Sequence, residues 1–390
     1  MRHIFYIVMM LACALMSACG HYVPEVGPSV EPAMETLVAE ARDGYECRFV
    51  EFSVEPSERI KAYLLVPDGA SEGKVYPAVL MLHDHGARFD IGKEKLVRPI
   101  ASVTPGGSDG YGMKSSRQWG DITFDGGYVA DSLARMGYVG LVADALYWGG
   151  RSTDDAQLWS RMNFDDAYVF PDRDTLIKDG VMTVETDDAK IRKSVIKRQK
   201  EIVYEGQRKV YAELQAQNVI WAEKMLRDDA ACVNLLAGLP YVDKERIGAF
   251  GFSMGAHRCW MLSAFCEGVK CWVALSWMSA LENYKGGHAS DLSMCIQPMR
   301  DQMDFGDIGI FLAPKPMLFL NGETDHLFAK EDVEVAFEKL HSHYASYNKS
   351  RGIEGSAPLR TRFFDGGHHC SKREQSVIFS YFDEYLKNGA

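Results

Sequence analysis

The residues Gly251-Phe252-Ser253-Met254-Gly255 carry the sharpest chemical signal in this 390-residue sequence. A serine at G-x-S-x-G spacing marks a tight turn that lifts a hydroxyl out for nucleophilic attack. The flanking glycines are required because the turn presses both positions against the adjoining strand and helix. A serine hydroxyl is a weak nucleophile until a base takes its proton and an acid orients that base. Both groups stand downstream. Asp325 follows the apolar run Pro316–Leu320, with Glu323 as the alternative carboxylate and Glu282 as a remoter one. His368 follows Phe363-Phe364-Asp365-Gly366-Gly367, and its place directly after the glycines favours it over His369 as the base. The order Ser, Asp, His is one of the chain orders in which an acyl-transfer triad occurs. Paired histidines can also open a metal site, but neither HExxH nor CxxC accompanies them, so metal is rejected here.

Acyl transfer further needs two N–H groups aimed at the oxygen that gains charge. The first is the backbone N–H of Met254, directly after the serine. The second is expected in the loop His83-Asp84-His85-Gly86-Ala87-Arg88, from Ala87, with Gly86 as the alternative. His83 and His85 are read as hydrogen-bonding braces of that loop.

A sheet must hold these groups. Cys47–Val54 and Ile60–Val66 read as strands of a hairpin around Glu55-Pro56-Ser57-Glu58. The run Pro77–Leu82 is apolar throughout, as in a strand buried on both faces of a parallel sheet. Val139–Ala143, Arg246–Phe252, Cys271–Leu275, Pro316–Leu320 and Arg360–Phe364 continue the strand pattern. Tyr128–Met136, Ala256–Phe265, Glu331–Tyr344 and Gln375–Leu386 read as helices between or after them. Such alternation predicts an α/β fold with a mainly parallel sheet covered on both faces. Residues 150 to about 205 break the alternation and read as a helical insert. Gln207–Arg227 is predicted as one helix with the stripe Val210, Leu214, Trp221 and Met225, after a break at Gly206. The six cations between Lys190 and Lys200 read as a solvated helix face.

The first residues read differently. Arg2 and His3 precede an apolar run, Ile4–Met16, that is too short to span a bilayer. Met16-Ser17-Ala18-Cys19 then resembles a bacterial lipobox, which implies export and acylation of Cys19. Residues 1–18 are therefore expected to be a signal peptide, 19–40 a Pro- and Gly-containing tether, and 41–390 one domain with its insert. An exported protein with a membrane anchor is the expectation. Of nine cysteines, none is spaced as CxxC, so neither a zinc site nor a disulfide scaffold is indicated. Lys+Arg 43 against Asp+Glu 54, a net charge of −11, opposes binding to nucleic acid.

The LHDHG loop, the Asp144–Arg151 turn, the GFSMG elbow and the Asp325 and His368 segments together resemble the α/β-hydrolase superfamily. Within it the chain is similar to the dienelactone hydrolase and acetyl xylan esterase-like branch of exported bacterial proteins. The resemblance implies ester hydrolysis with no metal or organic cofactor, on small-molecule or saccharide esters. It makes Arg151 a structural residue, and it leaves oligomeric state open. Trp119, Tyr147, Trp148, Trp159, Trp277 and Tyr284 fall where sugar-stacking platforms would lie, and equally where core aromatics would. Two other readings compete with the esterase. One is a prolyl oligopeptidase-like peptidase, and the other a catalytically dead ligand-binding lipoprotein.

Overall fold

The computed structural model describes residues 22–24, 26, 33–170, 188–282, 284, 292–354 and 358–388. Residues 1–18, read as a signal peptide, Cys19, and residues 171–187 of the expected insert lie outside them. Nine strands follow one another as β1 (Met34–Arg42), β2 (Tyr45–Glu55), β3 (Glu58–Pro67), β4 (Tyr76–Leu82), β5 (Val139–Ala143), β6 (Val242–Phe252), β7 (Cys271–Leu275), β8 (Met317–Gly322) and β9 (Leu359–Phe364). They form one sheet in the order β1-β2-β3-β5-β4-β6-β7-β8-β9. The first three strands pair antiparallel, as do β3 and β5, and every pair from β5 through β9 is parallel. The chain therefore has the α/β-hydrolase architecture, with a parallel centre and three antiparallel strands at one side.

Among the described residues the longer helices are α1 (Tyr111–Thr123), α2 (Val129–Arg135), α3 (Asp154–Phe164), α4 (Asp188–Ala216), α5 (Trp221–Gly238), α6 (Met254–Phe265), α7 (Lys330–Arg351) and α8 (Lys372–Phe382). The apolar run of β4 shows why two helical layers are needed. Its alternate residues Ala78, Leu80 and Leu82 belong to the core beneath α5, α6 and α7. Val79 and Met81 join the opposite core, with Leu133 of α2 and Ile378 and Phe382 of α8. Period-two geometry sends successive side chains to opposite faces, so a strand apolar at every position must be covered twice.

Three elements depart from the sequence reading. Residues 34–40, expected in the tether, belong to edge strand β1, where mostly exposed side chains ride on backbone pairing to β2. Gly206 does not break a helix. α4 runs through it and stops at Ala216, and Asn218, at φ 58°, makes the turn into α5. Gly206 is needed for space instead, since a Cβ there would lie 2.7 Å from Tyr147 Oη. That hydroxyl donates to the Val203 carbonyl at 3.0 Å, so it is not free to move. The stripe Val210, Leu214, Trp221 and Met225 is consequently divided between two helices. The third departure is α1, a helix in a part of the chain to which the sequence reading assigned no element.

The cationic run on α4 behaves as expected. Lys190, Arg192, Lys193, Lys197, Arg198 and Lys200 are all exposed. Ile191 and Val195 turn inward against Met162 of α3 and form a small separate core.

Candidate active site

Ser253 is the single residue between β6 and α6. Its backbone sits at φ 54° and ψ −121°, a region that costs a non-glycine residue roughly 1–3 kcal/mol. Hydrogen bonds hold it there. The Ser253 N–H donates to the Leu275 carbonyl at 2.8 Å, and its own carbonyl accepts from Ala256 N–H at 2.8 Å. The glycines on either side answer to steric limits. A Cβ on Gly251 would strike the Gly255 carbonyl, and one on Gly255 would strike the Leu82 carbonyl at the end of β4. Both obstacles are backbone atoms of the central sheet and its first turn, which cannot swing aside. Gly255→Ala is therefore expected to cost about 3 kcal/mol or more, read as a lower melting temperature. A variant that melts with the wild type would contradict this packing.

β8 and β9 deliver the partners. Both run parallel to β6, so their carboxyl ends open on the same edge of the sheet. His368 Nε2 lies 2.9 Å from Ser253 Oγ, and His368 Nδ1 lies 2.7 Å from Asp325 Oδ2. A carboxylate only accepts, so Nδ1 carries the proton and Nε2 is left to accept from the serine hydroxyl. Burial pushes the Asp325 carboxyl upward. The hydrogen bond and charge of His368, with amides of Leu327 and Phe328 on Oδ1, outweigh it and hold the group below the usual carboxylate range. Phe252 and Phe328 flank the imidazole, with ring centroids at 5.0 and 5.9 Å.

The alternative residues do not enter this constellation. Glu323 is exposed and paired with Lys330 Nζ at 3.0 Å. The ring of His369 packs edge-on against Phe364 at 5.7 Å. Glu282 is exposed. Arg151 is held by Asp228 at 2.8 Å and Glu58 at 2.6 Å, which agrees with a structural role.

Met254 opens α6, so its amide is among the first-turn N–H groups that have no acceptor within the helix. The positive end of the helix dipole adds to it. The loop after β4 requires a correction. The Ala87 N–H donates to His85 Nδ1 at 2.9 Å, inside its own loop. It is therefore committed elsewhere, and the expectation of Ala87 as the second donor does not survive. Gly86 and Ala87 both have positive φ, 55° and 51°, and this coil turns the Ala87 amide back onto the imidazole. His83 is a brace as expected. Its Nδ1 donates to the Asp84 carbonyl at 2.9 Å, and its Nε2 accepts from Ala145 N–H at 3.0 Å. Complete burial keeps that imidazole neutral, well below its ordinary range.

Charged groups lie beneath the loop, and nothing in the residue types of Lys93-Glu94-Lys95 signals their burial. Lys93 Nζ meets Asp144 Oδ2 at 2.7 Å, both buried, and Asp144 also accepts from the amides of Lys93 and Gly150. Lys95 is fully buried and reaches the loop itself. Among the six aromatics considered as platforms, Tyr147, Trp148, Trp159 and Trp277 are core residues, and Trp119 and Tyr284 are partly accessible.

The dienelactone hydrolase family profile matches residues 119–350, more than half of the chain, a span that contains Ser253 and Asp325. A sequence relative, “Putative hydrolase YtaP” of Bacillus subtilis (strain 168), is 23% identical over 318 residues, 80% of this chain and 81% of the relative. A “putative acetyl xylan esterase” from Bacteroides fragilis shares the fold with TM-score 0.57 at 16% identity, covering 86% of this chain and 70% of that one. A glucuronoyl esterase from Solibacter usitatus does so with TM-score 0.53 at 10% identity, covering 93% of this chain and 88% of that one. With its elbow, its sheet and this family match, the chain belongs to the dienelactone hydrolase family and is a hydrolase of the esterase type.

Proposed function

We propose that the chain is a serine esterase that cleaves carboxylic esters through an acyl-enzyme, with acylated carbohydrates as its substrates. The observation that carries this reading is the unbroken hydrogen-bond chain Asp325–His368–Ser253 at a strained elbow. In the first half-reaction Ser253 Oγ forms a bond to the acyl carbon while His368 Nε2 takes the hydroxyl proton. The carbonyl oxygen gains the negative charge, faced by the Met254 N–H at the head of α6. The tetrahedral adduct then breaks its bond to the alcohol oxygen, which leaves with the proton from His368. Water repeats the sequence in reverse roles, releasing the acid and restoring the serine. Asp325 holds the imidazole tautomer throughout and offsets the positive charge that His368 acquires.

Fold-level likeness to an acetyl xylan esterase and a glucuronoyl esterase supports the carbohydrate part by analogy. Trp119 and Tyr284 are the two of the six aromatics that stay partly accessible, and they are the candidates for contact with a sugar. The peptidase and the dead-binding readings gain no such support. We further propose that residues 1–18 direct export and that Cys19 carries the lipid anchor, which places the esterase at a membrane surface.

A panel of acetylated oligosaccharides, glucuronoyl methyl esters, aryl acetates and lactones, scored for acid release, tests the substrate class. Acetylated oligosaccharides are expected to give the highest kcat/KM. Preference for lactones, or for peptides in a parallel digest, would overturn it.

A further inference from the structure

The loop after β4 lies over a buried ammonium group whose bonding is unusually specific. Lys95 Nζ donates to the Asp84 carbonyl at 2.8 Å and to the His85 carbonyl at 2.8 Å. Asp84 Oδ2 stands 3.4 Å away, and Trp119 Nε1 holds the other oxygen of that carboxylate at 3.1 Å. The His85 carbonyl receives a second donor, Trp148 Nε1, at 3.0 Å. Lys95 and Trp148 are both wholly buried, so these donors lie on the protein side of the loop.

A trans peptide is planar, and its N–H points opposite to its C=O. The His85 carbonyl and the Gly86 N–H belong to one such unit. Two donors pulling that carbonyl inward fix the plane and turn the Gly86 N–H outward, away from Lys95 and Trp148. A cation on the carbonyl also withdraws electron density through the amide, which makes the N–H a stronger donor. The neighbouring Ala87 amide is spent on His85 Nδ1. Gly86 itself is fixed sideways, since a Cβ there would collide with Asp84 Oδ2 and the edge of the Trp119 ring.

Resting on the serine-esterase reading, we propose that the Gly86 N–H is the second oxyanion donor and that Lys95 and Trp148 are its positioning residues. Lys95 touches no substrate. It acts by orienting and polarising one peptide, so its effect falls on the charged adduct and not on the bound ester. A structural lysine would alter folding or affinity for substrate without that selectivity.

The test uses p-nitrophenyl acetate as substrate and phenylboronic acid as the probe that forms a tetrahedral, negatively charged adduct with the serine. Trp148→Phe removes one donor and keeps most of the ring, and Lys95→Met removes the other. For Trp148→Phe, kcat is expected to fall about tenfold, and for Lys95→Met about 100-fold, at or below the roughly 100- to 1,000-fold loss that follows outright removal of an oxyanion-hole donor. KM is expected to stay within about threefold, because ground-state binding is untouched. The boronate Ki is expected to rise in step with the loss in kcat/KM. Should Lys95→Met fail to fold, Trp148→Phe decides alone. A folded variant with unchanged kcat, or with lowered kcat and unchanged boronate affinity, overturns the assignment. Failure of the esterase reading looks different, because Ser253→Ala would then retain turnover and the boronate would not inhibit the wild type.

Discussion

Replacing Ser253 by alanine is expected to lower kcat on an activated acetyl ester by about 10⁶-fold, the scale of losing a triad nucleophile. The fold should remain, because the elbow is held by main-chain bonds of Ser253 to Leu275 and Ala256 and not by the hydroxyl. What the substitution removes is the hydrogen bond from Oγ to His368 Nε2. A melting temperature within a few degrees of wild type is therefore expected alongside the loss of turnover. Retained hydrolysis would mean that another group attacks the ester.

The second large effect is expected at Asp325. Asp325→Asn keeps the size of the side chain but turns an acceptor-only carboxylate into an amide with two donors. The amide can meet His368 Nδ1 through its N–H, which favours the tautomer carrying the proton on Nε2. The imidazole would then present a donor to Ser253 and could not act as its base. A loss in kcat of about 10⁴-fold is expected, by the tautomer argument that applies to any triad of this geometry. The Leu327 and Phe328 amides now held by Oδ1 can still find the amide oxygen, so stability should change less than activity. Steady-state kinetics beside a thermal melt will separate the two. Asp325→Asn turning over at more than a tenth of the wild-type rate would show that the carboxylate does not set the tautomer.

Much of this site was legible because its residues announce themselves in order along the chain. The elbow glycines are demanded by backbone collisions, and the carboxylate and imidazole each follow an apolar strand. Alternation of strands and helices determined which ends share an edge. The misreadings have a common physical origin. β1 belongs to the sheet through backbone hydrogen bonds, which leave no trace in side chains that stay exposed. Gly206 carries no helix-breaking role because its constraint, Tyr147 Oη, lies 59 positions away in the sequence. The burial of Lys95 carries no sequence signal, because the carbonyls of Asp84 and His85 that surround its ammonium are main-chain groups. The Ala87 assignment failed because loop register is set by dihedrals at Gly86 and Ala87 that residue types alone do not determine. For the six aromatics the sequence left core and platform equally open. Tyr147, Trp148, Trp159 and Trp277 proved to be core, whereas Trp119 and Tyr284 stay partly accessible.

The central claim is that Ser253 is the nucleophile that carries the acyl group, and covalent capture tests it most directly. The full chain is treated with a fluorophosphonate, digested, and read by mass spectrometry. A single adduct on the peptide containing Ser253 is predicted, formed in step with loss of esterase activity and absent from Ser253→Ala. An adduct on a different residue, or full inhibition with Ser253 unmodified, would contradict it.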